Sequence, residues 1–269
     1  MFKLSAFADE IAPDLETQLG FLVKNGVSNI ELRRVNHKAV LDLTANEARD
    51  VAQAARDQGV GFSAIGSPIG KAPLDGPFEE QMDALRKAIE LAAIVEAPYV
   101  RIFSYRFPET ENHLKHRDAV LDRLSAFAAE AENAPVTLGL ENEKGTYADT
   151  CDRTLDLHQT IASNSLKAVF DFSNFVQSGE RPYTECWPKL RPFVGYFHIK
   201  DSRLNFPRIV PAGQGNGDIA KILAEAVRAD TDVFLSVEHH LKEDYGSGKP
   251  ERFEVAVSAL KGVLQGIGH

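Results

Sequence analysis

The chain has 269 residues, 43% apolar and 26% charged, the balance of an ordinary soluble globule. Its net charge of −9, from 30 basic and 39 acidic residues, argues against a nucleic-acid partner, whose affinity rests on Lys and Arg at phosphates. The two cysteines, Cys151 and Cys186, lack C-x-x-C spacing, which speaks against a disulfide framework or a cysteine zinc site. No apolar run reaches the ~18 residues of a membrane span, and "MFKLSAFADEIAPD" does not read as a signal peptide. The expectation is a cytoplasmic protein without a membrane partner.

Short apolar runs alternate with longer amphipathic segments. The sequence predicts strands at 2–7, 29–35, 61–67, 99–105, 136–142, 166–172, 194–200 and 233–239. Helical patterns fall between them. One covers 14–26 and ends at Gly26; the next, 44–59, opens with a Thr44–Glu47 capping box and ends at Gly59. Others cover 78–97, 114–132, 151–163, 184–191, 218–228 and 251–265. Eight strand–helix pairs in this length predict a single-domain (β/α)₈ TIM barrel over 1–269. The rival, an open doubly wound sheet, usually has a Gly-rich turn after its first strand, and "AFADEIAPD" has none. The irregular stretch 203–217 reads as a structured loop or lid. Within it "GQGNGD" is a weak phosphate-loop signal, taken as a structural turn, with Asp218 as the next helix's N-cap.

In such a barrel the site lies at the C-terminal strand ends. The fifth strand ends in Glu141, Asn142 and Glu143; the sixth in Asp171, with Asn174 beyond it. The seventh ends in His198, Lys200 and Asp201, and the eighth in Glu238, His239 and His240. Alternation puts Glu141 on the face of Gly139, His198 with Lys200, and Glu238 with Ser236 and His240. Taken singly, each acid reads as an ion-pair partner and His198 as a core histidine. Taken together, three carboxylates and an imidazole converging on one point demand a cation. An oxygen and nitrogen set without thiolate suits Mn²⁺, Mg²⁺, Co²⁺ or Zn²⁺.

The pieces "GLENE" (139–143), "VFDFSN" (169–174), "YFHIKD" (196–201), "PAGQGNGDI" (211–219) and "SVEHH" (236–240) resemble the xylose-isomerase-like TIM-barrel superfamily. It includes ketose epimerases, sugar isomerases, dehydratases and a DNA-repair endonuclease branch. "IELR" (30–33) and "IGSPIGK" (65–71) resemble a bacterial branch described only as sugar phosphate isomerase/epimerase. The resemblance implies Glu141, Asp171, His198 and Glu238 as ligands of one divalent ion, Mn²⁺ first. It also implies Glu141 and Glu238 as the bases of an α-proton abstraction on a sugar or keto-sugar. The chain departs from the endonucleases in offering Ser67 and Ser104 on the third and fourth strands, and Asn174 where they have His.

Lys200 is the candidate to neutralise an oxyanion or act as general acid. His240, Arg203, Asn174, Glu31 and Ser67 are candidates for substrate binding. Arg33 shares a face with Glu31, Arg101 needs a partner if it faces inward, and Lys71 is a loop lysine within reach of an anion. The expected activity is metal-dependent isomerisation or epimerisation. The alternative is a lyase that dehydrates a keto-polyol or eliminates from a 3-keto-glycoside, and a binding barrel with a degenerate site is the different class. Trp187 and 181–193 suit either a homo-oligomer interface or ordinary core.

Overall fold

The computed structural model describes residues 2–108, 111–226 and 233–269. Eight parallel strands close into a barrel: β1 (Phe2–Ala6), β2 (Asn29–Leu32), β3 (Gly61–Gly66), β4 (Tyr99–Ile102), β5 (Thr137–Glu141), β6 (Leu166–Asp171), β7 (Val194–Ile199) and β8 (Val233–Val237). Each pairs with its sequence neighbours, and β8 closes on β1. The helices are α1 (Leu15–Lys24), α2 (Ala45–Asp57), α3 (Phe78–Val95), α4 (Arg117–Ala131), α5 (Cys151–Ile161), α6 (Phe172–Gln177), α7 (Trp187–Leu190), α8 (Ile219–Ala226) and α9 (Lys249–Gly266). The chain is a single-domain TIM barrel. Among the described residues no helix is long and apolar enough to cross a membrane.

The helix starts follow local chemistry. Asp14 accepts the Thr17 N–H at 2.8 Å ahead of α1, and Thr44 with Glu47 forms the predicted capping box of α2. Leu138, Leu140, Phe197, Ile199 and Val237 turn outward and bury against the helices. A small separate cluster, Ala64, Val169, Tyr196 and Phe234 with Tyr99 against it, plugs the barrel interior. The core therefore lies in two shells, and the polar strand ends sit above the inner one.

Several predicted boundaries move. The run 29–35 breaks after Leu32, and Arg34–Val35 pairs antiparallel with Lys38–Ala39. Asn36 and His37 take positive φ, 48° and 65°, the geometry of a tight hairpin turn. β4 stops at Ile102 because the Phe103 and Tyr105 N–H groups bond to Ile69 and Gly70 carbonyls in the preceding loop. The stretch read as irregular contains a hairpin, Asp201–Arg203 against Phe206–Val210. The helix expected at 184–191 is a π-turn, Pro182–Cys186, followed by the single turn of α7. Of the helix expected at 218–228, α8 covers Ile219–Ala226, and 227–228 lie outside the described residues. Asp218 has φ 52°, not the extended backbone of an N-cap, and its carboxylate pairs with Lys221 at 2.6 Å.

Candidate functional site

Parallel register sets the site. Asp171 at the end of β6 lies opposite His198 on β7, and His198 lies opposite Ser236 on β8. Glu238 follows directly, its N–H bonded to the Ile199 carbonyl at 3.2 Å. Glu141 ends β5, one layer above Gly139, where an added Cβ would stand 2.6 Å from Val169 Cγ2. One ligand atom from each of Glu141, Asp171, His198 and Glu238 lies within 4.8 Å of the others, and all four residues are buried.

The imidazole is oriented from behind. His198 Nε2 lies 3.0 Å from Glu31 Oε2, which also accepts the Tyr196 hydroxyl at 2.9 Å. That hydroxyl continues to Ser63 Oγ at 2.7 Å, and Ser63 to Ser5 at 2.5 Å. With Nε2 engaged, Nδ1 faces the cluster, 3.1 Å from Glu141 Oε1 and 3.9 Å from Asp171 Oδ2. Neither contact is aligned as a hydrogen bond, and His198 Nδ1 and Asp171 Oδ2 are both buried without a hydrogen-bond partner. Buried polar atoms of this kind need an explanation. A divalent ion held by three carboxylates and one imidazole would supply it, and the Glu31–His198 contact is of the kind that supports a metal-bound histidine.

Three cations stand around the carboxylates. Lys200 donates to Glu238 Oε2 and lies 3.0 Å from Asp171 Oδ2. Arg101 donates to Glu141 Oε2 at 3.2 Å, its guanidinium between the Phe7 and Phe103 rings. Arg33 donates to Glu238 Oε1, Asp9 Oδ2 and Glu10 Oε1 at 3.0–3.3 Å. Burial alone would raise both glutamates. His198 and Arg101 nevertheless hold Glu141 at about 2, and Lys200, with His240 and Arg33 adding to it, holds Glu238 well below the usual carboxylate range. Burial drives Asp171 up to about 7 against the pull of Lys200. For Lys200 and His198 burial works downward and loses: neighbouring carboxylates keep both well above their ordinary values.

Residues 19–261 match the family model described as xylose isomerase-like TIM barrel. The chain belongs to this family. Among solved structures, it is similar to the IolI protein with a bound zinc atom (17% identity, 98% of this chain and 99% of that one, TM-score 0.78). It is also similar to the probable 3-DHS dehydratase AsbF from Bacillus anthracis (18%, 96% and 98%, TM-score 0.75). A D-tagatose 3-epimerase-like protein is a third (17%, 99% and 99%, TM-score 0.73). At these identities the likeness shows the fold. No curated protein matches significantly by sequence.

Above the cluster this family member opens into a cavity of about 1350 Å³. Asn174 and His240 line it. Asn174 Nδ2 donates to Glu141 Oε1 at 3.2 Å, while its backbone N–H bonds to Asp171 Oδ1 at 2.8 Å. His240 Nε2 lies 2.9 Å from Glu10 Oε1 and 3.4 Å from Glu238 Oε1. Three other candidates are placed elsewhere. Glu31 is buried beneath His198, a support and not a wall residue. The Ser67 hydroxyl is spent on the Arg101 carbonyl at 2.5 Å. Arg203 is exposed on the hairpin, donating to the Gln214 carbonyl at 3.3 Å; Arg208 on the returning strand lines the cavity instead. Lys71 also reaches the cavity, paired with Glu143 at 2.6 Å.

Two features have no counterpart in the sequence reading. Asn142 uses its side-chain amide on both backbone groups of Asp171, at 2.8 and 2.9 Å, and so fixes the backbone of that cluster residue. Asp9 and Glu10 reach the rim from the loop after β1; the rule of C-terminal strand ends, applied to "FADE", would have found them. The Gly-rich turn does bind an anion, but an internal one. The Asp201 carboxylate accepts N–H bonds from Ser202, Gly213, Gly215 and Gly217 at 2.9–3.0 Å. A Cβ on Gly215 would sit 2.2 Å from Asp201 Oδ1, so only glycine fits there.

Proposed function

We propose that the chain is a divalent-metal-dependent isomerase or epimerase of a sugar or keto-sugar. The observation that carries this is the buried Glu141–Asp171–His198–Glu238 cluster, with two of its ligand atoms lacking a hydrogen bond, at the floor of an open cavity. A bound divalent ion, Mn²⁺ first among the candidates, would act as Lewis acid toward the oxygens of an enediolate. The chain's own residues do the rest. Glu141 and Glu238 sit on strands separated by β6 and β7, so their carboxylates approach the centre from two sides. Both are held ionised, and either can accept a proton from the carbon next to a carbonyl. One carboxylate removing and the other returning it gives epimerisation; one working alone gives aldose–ketose isomerisation. Lys200, a cation fixed between Asp171 and Glu238, balances the negative charge that develops.

The cavity also bears on substrate class. In a chain of net charge −9, the described residues of its wall include ten Lys or Arg against five Asp or Glu, which favours a substrate with a carboxylate or phosphate group. A lyase of the same family is the second reading. His240 lines the cavity beside Glu10 and Glu238, which keep it above its usual imidazole value against burial and favour its acting as a proton donor to a leaving group.

The test is solvent deuterium exchange over a panel of neutral, phosphorylated and carboxylated keto-sugars. Deuterium entering next to the carbonyl, abolished by chelator and restored by Mn²⁺, is the expected result. Exchange indifferent to chelator would sink the metal mechanism. Loss of water or of an aglycone alongside exchange would select the lyase.

A further inference from the structure

The chain's two cysteines are 35 positions apart and show no metal-binding spacing, yet the fold brings them together. Cys151 is the first residue of α5. Cys186 closes the π-turn before α7, and Glu180 lies in the link between α6 and that turn. Both thiols point at one oxygen: Cys151 Sγ is 3.1 Å and Cys186 Sγ 3.7 Å from Glu180 Oε2. One ligand atom from each of the three lies within 4.8 Å of the others. Both cysteines are buried, and half-buried Glu180 leaves a way in from solvent.

Thiols are weak donors, and two of them on a single carboxylate oxygen make a poor substitute for a cation. We propose that Cys151, Glu180 and Cys186 form a second metal site, for a thiophilic divalent cation such as Zn²⁺. The spacing fits. Zinc bonds of about 2.3 Å to sulfur and about 2.0–2.2 Å to oxygen in a tetrahedron place neighbouring ligand atoms roughly 3.4–3.8 Å apart. The charge fits as well. Two thiolates and a carboxylate around a dication leave one negative charge, and Lys189 Nζ stands 3.7 Å from Cys151 Sγ. A disulfide would use the same sulfurs and leave Glu180 without a role.

The site is a staple. It ties the start of α5 and the turn before α7 to the tail of the segment that begins at Asp171, a residue of the barrel-mouth cluster. The two clusters differ in donor chemistry: the barrel mouth offers oxygen and nitrogen, the staple sulfur. Cobalt(II) therefore reports on them separately, because thiolate-to-cobalt charge transfer arises only at the staple.

The experiment is a Co²⁺ titration of the full chain, prepared with reductant and stripped with chelator. Wild type and His198→Ala are expected to develop the thiolate band alike. Cys151→Ser and Cys186→Ser are expected to lose it, with folding checked by circular dichroism. Glu180→Gln, which leaves both thiols in the core, should move the band to higher cobalt. No thiolate band in wild type at saturating Co²⁺ would overturn the proposal, and so would a band that survives in Cys186→Ser. Loss of both free thiols in protein denatured after purification without reductant would mark a disulfide pair instead, and would overturn it too.

Discussion

Strands β5 to β8 each deliver a side chain that faces the cluster directly: Glu141, Asp171, His198 and Glu238. Strands β1 to β4 deliver groups that hold those side chains from behind: Ser5 and Ser63 under Tyr196, Glu31 against His198, Arg101 against Glu141. The difference teaches how a barrel interior tolerates so many charges. A buried carboxylate or imidazole is costly unless paired, and the pairing comes both from across the barrel, as Glu31 to His198, and from adjacent strands, as Arg101 to Glu141 and Lys200 to Asp171 and Glu238.

Substitutions can break that division of labour. Glu141→Gln keeps the shape of a facing residue and removes its charge; deuterium exchange should fall by about 10²–10⁴-fold, the usual contribution of a positioned base. Glu31→Gln alters a supporting residue. It should lower metal affinity by about 10–100-fold, with activity recovering as Mn²⁺ is raised. A loss in Glu31→Gln that excess metal cannot repair, and that matches Glu141→Gln, would place Glu31 in the chemistry and end the distinction. The rim should respond least. Arg208→Ala is expected to raise KM for an anionic substrate by about tenfold with kcat unchanged, the signature of lost uniform binding; a fall in kcat alone would show that the rim takes part in the chemical step.

The facing half was legible because a charged residue at the end of an apolar strand is conspicuous, and eight such strands in order imply their common end. The supporting half was not. Glu31 looked like a wall residue, since alternation gives the face of a side chain but not its depth in the barrel. β2 stops at Leu32, which leaves Glu31 one layer down, beside the His198 ring. Arg203 looked inward because the stretch after Asp201 read as a loop. A register shift at Ser202/Arg203 in the hairpin accompanies the outward placement, and Arg208 arrives on the returning strand. Ser67 could not be separated from a substrate contact without its partner, the Arg101 carbonyl, 34 residues away. The thiol pair was hidden for the same reason: its neighbours are close only after folding.

The glycine cradle around Asp201 has a mechanical consequence. Amides that elsewhere grip a ligand's phosphate here grip the chain itself, and the gripped residue directly follows Lys200. Lys200 thus hangs from a fixed pivot. Its ammonium can swing on a flexible four-carbon stem, but its backbone cannot retreat. If the proposed dication binds at this cluster, any adjustment of Lys200 would fall on its side chain, with its backbone held in place.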